Sequence, residues 1–106
     1  MYDIIITRSA GNDLEELYLY VELNDSIDRA DMLLASIERV INDLKLLPER
    51  GHYPPELLRI AVRAFREVRF KPYRIIYTLQ DQLVVVHCIL DGRRDMQSLL
   101  QERLLR

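Results

Sequence analysis

A single run of apolar residues with helical spacing does most to restrict the folds open to this chain. Between positions 27 and 47, apolar side chains recur every three or four residues, which places them along one face of an α-helix. This face consists of Ile27, Ala30, Leu34, Ile37, Ile41, Leu44 and Leu47. Pro48 ends the pattern, because proline disfavours a helical residue before it and carries no amide proton. The sequence thus predicts a long amphipathic helix that must cover another layer of the protein.

A shorter helix is predicted immediately before this one. Its apolar residues also recur at helical spacing, and they are Leu14, Leu17, Tyr18 and Val21. Ser9 or Asn12 is its expected N-cap, and Asp25 or Ser26 is the expected N-cap of the longer helix. Because only a short polar turn separates the two helices, we expect them to form an antiparallel hairpin whose apolar faces cover a sheet.

Four segments have the composition and alternation of β-strands, one before the helices and three after them. They are residues 2–7, 63–70, 73–79 and 83–90. Turns at Lys71-Pro72 and Asp81-Gln82 predict that the last three strands form an antiparallel meander, and a short helix capped by Asp91 or Asp95 follows. We therefore predict one α+β domain over residues 1–106, with a helical hairpin packed on an antiparallel sheet in the order β-α-α-β-β-β-α.

The charges of the chain are distributed unevenly along it. Residues 1–53 carry five basic and eleven acidic side chains, whereas residues 54–106 carry ten basic and six acidic ones. Six cations and a single anion, Glu67, lie between Arg59 and Arg74. Opposed charges on one small domain predict a surface for an anionic partner, although arginines that merely solvate the outer face of a sheet would give the same pattern.

The composition is that of a globular protein in a reducing compartment. The apolar fraction is 49%, with three glycines and four prolines. No apolar run approaches the roughly 20 residues of a membrane helix, and no basic region followed by an apolar stretch opens the chain, so we expect neither a membrane span nor a secretory signal. The one cysteine, Cys88, cannot form an internal disulfide. We expect a cytoplasmic protein.

The residue types that cofactors and nucleophilic catalysis require are scarce. Two histidines and one cysteine are too few for a structural zinc site, and the glycines are too far apart for a phosphate-binding loop. His87 and Cys88 are neighbours on a strand and are expected to point to opposite faces, which excludes a ligand pair or a nucleophile–base pair. The sequence therefore predicts neither a metal nor an organic cofactor.

Arginine is the remaining residue type that could bind a partner or substrate. A guanidinium group stays charged and binds phosphate or carboxylate oxygens through two parallel hydrogen bonds. We expect guanidinium groups from neighbouring strands and from the segment after the last strand to converge on one open face of the sheet. The residues predicted to bind the target are Arg66, Arg69, Arg74, Arg93 and Arg94. Such a cluster suits a nucleic-acid backbone, a scissile phosphate or an acidic protein surface, and the residues alone leave these three open.

Several motifs occur in an order that resembles the RelE/ParE superfamily of type II toxins. Phe65-Arg66-Glu67-Val68 precedes Pro-Tyr-Arg-Ile-Ile-Tyr at 72–77, Leu83-Val84-Val85-Val86 follows, and Asp91-Gly92-Arg93-Arg94-Asp95 closes the run. Together with the helical hairpin, the resemblance covers nearly the whole chain. It implies a toxin fold and, as partner, a cognate antitoxin that wraps around the toxin and masks its active surface. Which residues bind the antitoxin stays unknown.

The superfamily divides by target, and the closing motif is similar to that of the ParE-like branch, whose members poison DNA gyrase and are not ribonucleases. The resemblance therefore implies DNA gyrase as the target. The alternative is a RelE-like enzyme that cuts messenger RNA on the ribosome, in which Arg74 and Arg94 would stabilise transition-state charge and Tyr73, Tyr77 or Glu67 would act as acid or base. The C-terminal tyrosine of RelE-like members falls near Leu99 or Leu100 here, and leucine cannot move protons. A second alternative is an inactive toxin fold retained as a binding module.

Overall fold

The computed structural model describes residues 1–105, which form four β-strands, four α-helices and one 3₁₀ turn. In chain order these are β1 (Asp3–Ile6), α1 (Arg8–Asn24), α2 (Ile27–Asn42) with a 3₁₀ extension (Asp43–Lys45), α3 (Pro55–Leu58), β2 (Arg66–Phe70), β3 (Tyr73–Gln80), β4 (Leu83–Asp91) and α4 (Met96–Leu104). The predicted α+β class and the order of the predicted elements are confirmed. The addition is α3, a single turn that is too short to leave a periodic pattern in the sequence.

The sheet is mixed rather than antiparallel, which corrects the prediction. Its strand order is β1-β4-β3-β2, and β2, β3 and β4 form the expected antiparallel meander, but β1 pairs with β4 in parallel. The helical hairpin returns the chain to the end of the sheet where β1 begins, since the amide of Tyr2 donates a hydrogen bond to the carbonyl of Lys45 (3.0 Å). β2 consequently starts from the same end as β1, and after two hairpin turns β4 runs in that direction as well.

Hydroxyl side chains fix where the two long helices begin. The Thr7 side chain accepts a hydrogen bond from the amide three residues further on (3.1 Å) and caps α1, so this helix begins before both predicted caps, Ser9 and Asn12. The predicted first strand includes Thr7, but the strand ends at Ile6 and Thr7 caps the helix instead. Ser26 caps α2, in agreement with one of its two predicted caps.

Both faces of the sheet are covered by helices in the part of the chain that the structure describes. On one face the α1–α2 hairpin packs against strand residues in a core of Ala10, Ile37, Ile41, Leu44, Val68, Ile75, Tyr77, Val84, Val86 and Ile89. On the other face α3 and α4 complete a smaller core of Leu57, Ile76, Cys88, Leu90, Met96 and Leu100. Burial of these apolar side chains is the main stabilising contribution to the fold. The expectation of an open sheet face on which arginines gather is therefore wrong.

A β-bulge interrupts β4 at His87 and changes which way two side chains point. The pairing of β4 with β3 shifts between Ile76 and Tyr77, so that His87 is the extra residue. His87 and Cys88 consequently lie on the same face, contrary to the prediction: the imidazole Nε2 lies 2.9 Å from the Thr78 hydroxyl, and Cys88 belongs to the smaller core. Burial raises the pKa of the Cys88 thiol to about 11, so the thiol is not activated as a nucleophile.

Two charged side chains form hydrogen bonds with the backbone of β4 in the part of the strand that β1 does not reach. β1 pairs with β4 as far as Val86, and beyond that point the amide of Ile89 donates a hydrogen bond to the Asp13 carboxylate (3.0 Å). Arg103 binds the same carboxylate through both terminal nitrogens (2.9 and 3.0 Å) and donates to the carbonyl of His87 (3.3 Å). Asp13 therefore joins α1 and α4 to the edge of β4, in the place that a neighbouring strand would occupy.

Residues 1–105 contain neither a membrane-spanning helix nor a cluster of metal-binding side chains. None of the helices is long and apolar enough to cross a bilayer. The described side chains also include no group of three or more His, Cys, Asp and Glu residues arranged to hold a metal ion.

Candidate functional site

The five arginines predicted to bind a target are distributed over three places in the fold. Arg69 and Arg74 lie opposite each other on β2 and β3, on the face that α3 and α4 cover. Arg66 lies on the other face, opposite Tyr77. Only Arg93 and Arg94, which follow β4, come together at the surface.

Arg74 is buried and its charge is neutralised by two carboxylates. Only 5% of the residue is exposed. The terminal nitrogens of its guanidinium group donate to both oxygens of Glu56 (2.8 and 2.5 Å), and its Nε donates to Glu67 (2.6 Å). These hydrogen bonds lower the pKa of the Glu56 carboxyl and raise the pKa of Arg74. Arg74 is thus held inside the protein by its contacts with Glu56 and Glu67.

Glu67 is the centre of this group of ionic contacts. Its side chain is fully buried, and it also accepts hydrogen bonds from Arg69 (2.8 Å) and contacts the Nε2 of His52 (2.9 Å). The two carboxylates of Glu56 and Glu67 balance the two guanidinium groups, and we call the set of Glu56, Glu67, Arg69, Arg74 and His52 the Glu67 network. The excess of positive charge between residues 59 and 74 is therefore partly cancelled inside the fold.

Tyr77 and Arg66 hold the loop between α2 and α3 against the sheet. The Tyr77 hydroxyl donates to the carbonyl of Pro48 (2.7 Å) and accepts from the amide of Gly51 (3.0 Å). Arg66 donates to the carbonyl of Gly51 (2.9 Å) and lies over the ring of Tyr53, with 5.1 Å between the guanidinium carbon and the ring centroid. Burial raises the pKa of Tyr77, and its hydroxyl is used both as a hydrogen-bond donor and as an acceptor within the fold. This tyrosine therefore has a structural role.

Arg93 and Arg94 are exposed but differ in their contacts. Arg93 pairs with Asp91 through its side chain (2.6 Å), which lowers the pKa of the Asp91 carboxyl. The side chain of Arg94 makes no hydrogen bond or ion pair to any residue within 1–105. Of the five predicted residues, Arg94 therefore has the guanidinium group most available to a partner.

A cleft of about 260 Å³ lies beside these two arginines, between α1 and the adjacent ends of β3 and β4. We call it the Arg94 cleft. Its walls are formed by Asp13, Glu16, Leu17, Tyr20, Tyr73, Ile89, Leu90, Asp91, Arg93 and Arg94. Tyrosine and arginine are the residue types that, with tryptophan, dominate binding hot spots, and the cleft brings together two of each.

The sequence did not identify Tyr20 as a candidate, although a signal for it exists. Tyr20 lies on α1 outside the predicted apolar face of that helix, and it is 66% exposed. An aromatic side chain on the polar side of an amphipathic helix is not needed for the core. This pattern could have marked Tyr20 as a contact residue, but only the fold places it beside Arg93 and Arg94.

Gly92 brings the closing motif at 91–95 into direct contact with the motif at 72–77. Its amide donates to the carbonyl of Pro72 (2.8 Å), and a Cβ at this position would lie 2.7 Å from Cδ of Arg74 and 2.9 Å from the Pro72 oxygen. Only glycine allows the chain to pass this closely over the Arg74 side chain. The turn that leads from β4 into Arg93 and Arg94 thus packs against the side chain of Arg74.

Comparisons with known proteins agree on one family. A family model described as ParE toxin of type II toxin-antitoxin system, parDE, matches residues 4–96. Toxin ParE3 of Caulobacter vibrioides (strain ATCC 19089 / CIP 103742 / CB 15) is 31% identical over 100 residues, which cover 94% of this chain and 96% of that protein. A chain of the solved chromosomal ParDE TA system from P. aeruginosa has the same fold, with a TM-score of 0.70 at 18% identity over 84% of this chain and 94% of that one.

Proposed function

The chain belongs to the ParE toxin family of type II toxin–antitoxin systems, and on this premise we propose that it arrests growth by binding DNA gyrase through the Arg94 cleft. The observation that carries the choice of surface is the exposed Arg94 guanidinium group beside Tyr20 and Tyr73. A target of this kind lies in the bacterial cytoplasm, and we propose the same compartment for the toxin.

Contact with a protein fits this surface better than cleavage of RNA. The ribonuclease alternative requires Arg74 and Arg94 to act on one phosphate, with Tyr73, Tyr77 or Glu67 as the acid or base. Arg74 and Tyr77 are both buried, they lie on opposite faces of the sheet, and their polar groups are occupied by Glu56, Glu67, Pro48 and Gly51. A group that is buried and already hydrogen-bonded cannot take up a phosphate without opening the fold.

The family also implies an antitoxin as partner. Activity measurements therefore require the toxin free of this partner. Restoring growth by co-expression of the antitoxin is the matching control, because it shows that arrest comes from the toxin and not from misfolded protein.

The proposal is tested with purified gyrase and the isolated toxin. We expect excess toxin to block supercoiling of relaxed plasmid and to trap cleaved DNA on gyrase. Arg94→Ala should reduce this effect at least tenfold, because truncation of a central hot-spot arginine costs about 2 kcal/mol or more. Arg63→Ala removes an exposed arginine that does not line the cleft and is the matched control.

Other outcomes separate the alternatives. Undisturbed supercoiling in a large excess of folded toxin would exclude gyrase as the target. Codon-spaced cuts in ribosome-bound messenger RNA would support the ribonuclease alternative. Normal growth on expression of folded toxin without its antitoxin would support an inactive binding module.

A further inference from the structure

We propose that Arg74 is a positioning residue of the Arg94 cleft and makes no contact with the target. The proposal rests on the proposed function and assigns a role within the same site. Arg74 is one of the five arginines predicted to bind the target, yet its side chain supports the turn that presents Arg93 and Arg94. The Glu67 network in turn holds Arg74 in place.

The first step is the contact between Arg74 and Gly92. Arg74 lies opposite Leu90 on β4, so the chain crosses the Arg74 side chain as it leaves the sheet. A Cβ on Gly92 would come within 2.7 Å of Cδ and 3.1 Å of Cγ of Arg74. The aliphatic part of the arginine is therefore the surface on which the turn rests, and Arg94 follows only two residues later.

The second step is the immobility of that side chain. All three guanidinium nitrogens of Arg74 donate to carboxylates, with bidentate contact to Glu56 and a further hydrogen bond to Glu67. Only 6% of the side chain is exposed. Because Glu56 lies on α3 and Glu67 on β2, the position of Arg74 is fixed from two independent elements.

The third step connects this support to the helix after the turn. Gln97, in the first turn of α4, donates to the backbone carbonyl of Glu56 (2.8 Å), and its side-chain oxygen accepts from Arg59 (3.1 Å). The segment from Gly92 to Arg94 is thus held at one end by Arg74 and at the other by a helix tied to α3. Side chains locked in this way keep a binding site in its productive geometry.

Two double variants separate a positioning role from a contact role. Arg74→Met with Glu56→Gln keeps the aliphatic stem under Gly92 and removes both charges of the bidentate pair. Arg74→Ala with Glu56→Gln removes the same charges and also the stem. We expect the first variant to retain gyrase inhibition within about threefold of wild type and the second to lose at least tenfold, with folding of both checked by circular dichroism and urea unfolding. Equal loss in both folded variants would overturn the proposal, because the aliphatic stem under Gly92 would then make no difference to the site.

A second measurement uses the wild-type protein and does not depend on how the variants fold. Phenylglyoxal modifies accessible arginines, and the modified positions are read by mass spectrometry. We expect Arg94 to be modified in the free toxin and protected by bound gyrase, and Arg74 to stay unmodified in both states. Modification of Arg74 in the free toxin, with protection by gyrase, would refute the positioning role.

Failure of the target assignment is recognisable in the same experiments. If wild-type toxin arrests growth but leaves gyrase unaffected, the proposed function is wrong. The comparison of the Met and Ala variants is then made on growth arrest, where unequal loss still supports the positioning role and equal loss still refutes it.

Discussion

Replacement of Asp13 by alanine tests the contact that completes the edge of β4. The carboxylate accepts from the amide of Ile89 and binds Arg103 through two hydrogen bonds, and only 9% of Asp13 is exposed. Leaving a buried amide without its acceptor costs about 1–3 kcal/mol, and loss of the charged hydrogen bonds adds about 1–2 kcal/mol. We expect Asp13→Ala to lower the free energy of unfolding by about 3 kcal/mol, a large share of the roughly 5–15 kcal/mol typical of a folded protein.

Urea unfolding monitored by circular dichroism measures this loss. With a slope of about 2 kcal/mol per molar urea, the midpoint should fall by about 1.5 M. Asp13→Asn keeps an acceptor for the Ile89 amide and should cost about half as much, whereas Glu15→Ala, at an exposed position of the same helix, should change stability by less than about 0.5 kcal/mol. A midpoint for Asp13→Ala equal to that of Glu15→Ala would refute the argument that this carboxylate replaces a strand.

Three further predictions concern the loop between α2 and β2. Ala61, at φ 60°, occupies the left-handed position that ends α3, so Ala61→Gly should raise the free energy of unfolding by about 1 kcal/mol in urea unfolding, and a loss would contradict the strain argument. Gly51→Ala should lower stability by at least about 2 kcal/mol in thermal unfolding, since its Cβ would lie 2.6 Å from the Tyr77 hydroxyl; an unchanged melting temperature would contradict this. Because Arg74 holds the pKa of Glu56 below its ordinary value of 4.5, the stability that Glu56 contributes is complete above that value and is lost as the pH falls through the lowered pKa of the folded state. Urea midpoints between pH 6 and 3 should therefore decline less steeply in Glu56→Gln than in wild type, and parallel declines would exclude the linkage.

Local patterns predicted the elements of this fold well because periodicity reports which face of an element is buried. The residues in the middle of the apolar pattern that predicts α2 are buried in the core, namely Ala30, Ile37 and Ile41. The ends of the pattern, Ile27 and Leu47, are exposed, because they lie at the hairpin tip and beyond the last helical turn. The parallel pairing of β1 was missed because strand patterns do not encode which edge a strand joins.

The charge pattern was misread for a physical reason that the sequence could have supplied. A tight turn at Lys71-Pro72 places Arg69 opposite Arg74, and Glu67 shares their face because it lies two residues from Arg69. A buried arginine that faces a second arginine requires carboxylates nearby. The second carboxylate, on Glu56, lies on α3, far from β3 in the sequence, so its approach depends on tertiary structure alone.

Direct binding of the toxin to gyrase tests the central claim most closely. Isothermal titration of purified gyrase with wild-type toxin should show a saturable complex. Arg94→Ala and Tyr20→Ala should each weaken it at least tenfold, while Arg63→Ala should change the dissociation constant less than twofold. Absence of binding by the wild-type toxin, or equal affinity of all four proteins, would contradict a gyrase-binding surface at the Arg94 cleft.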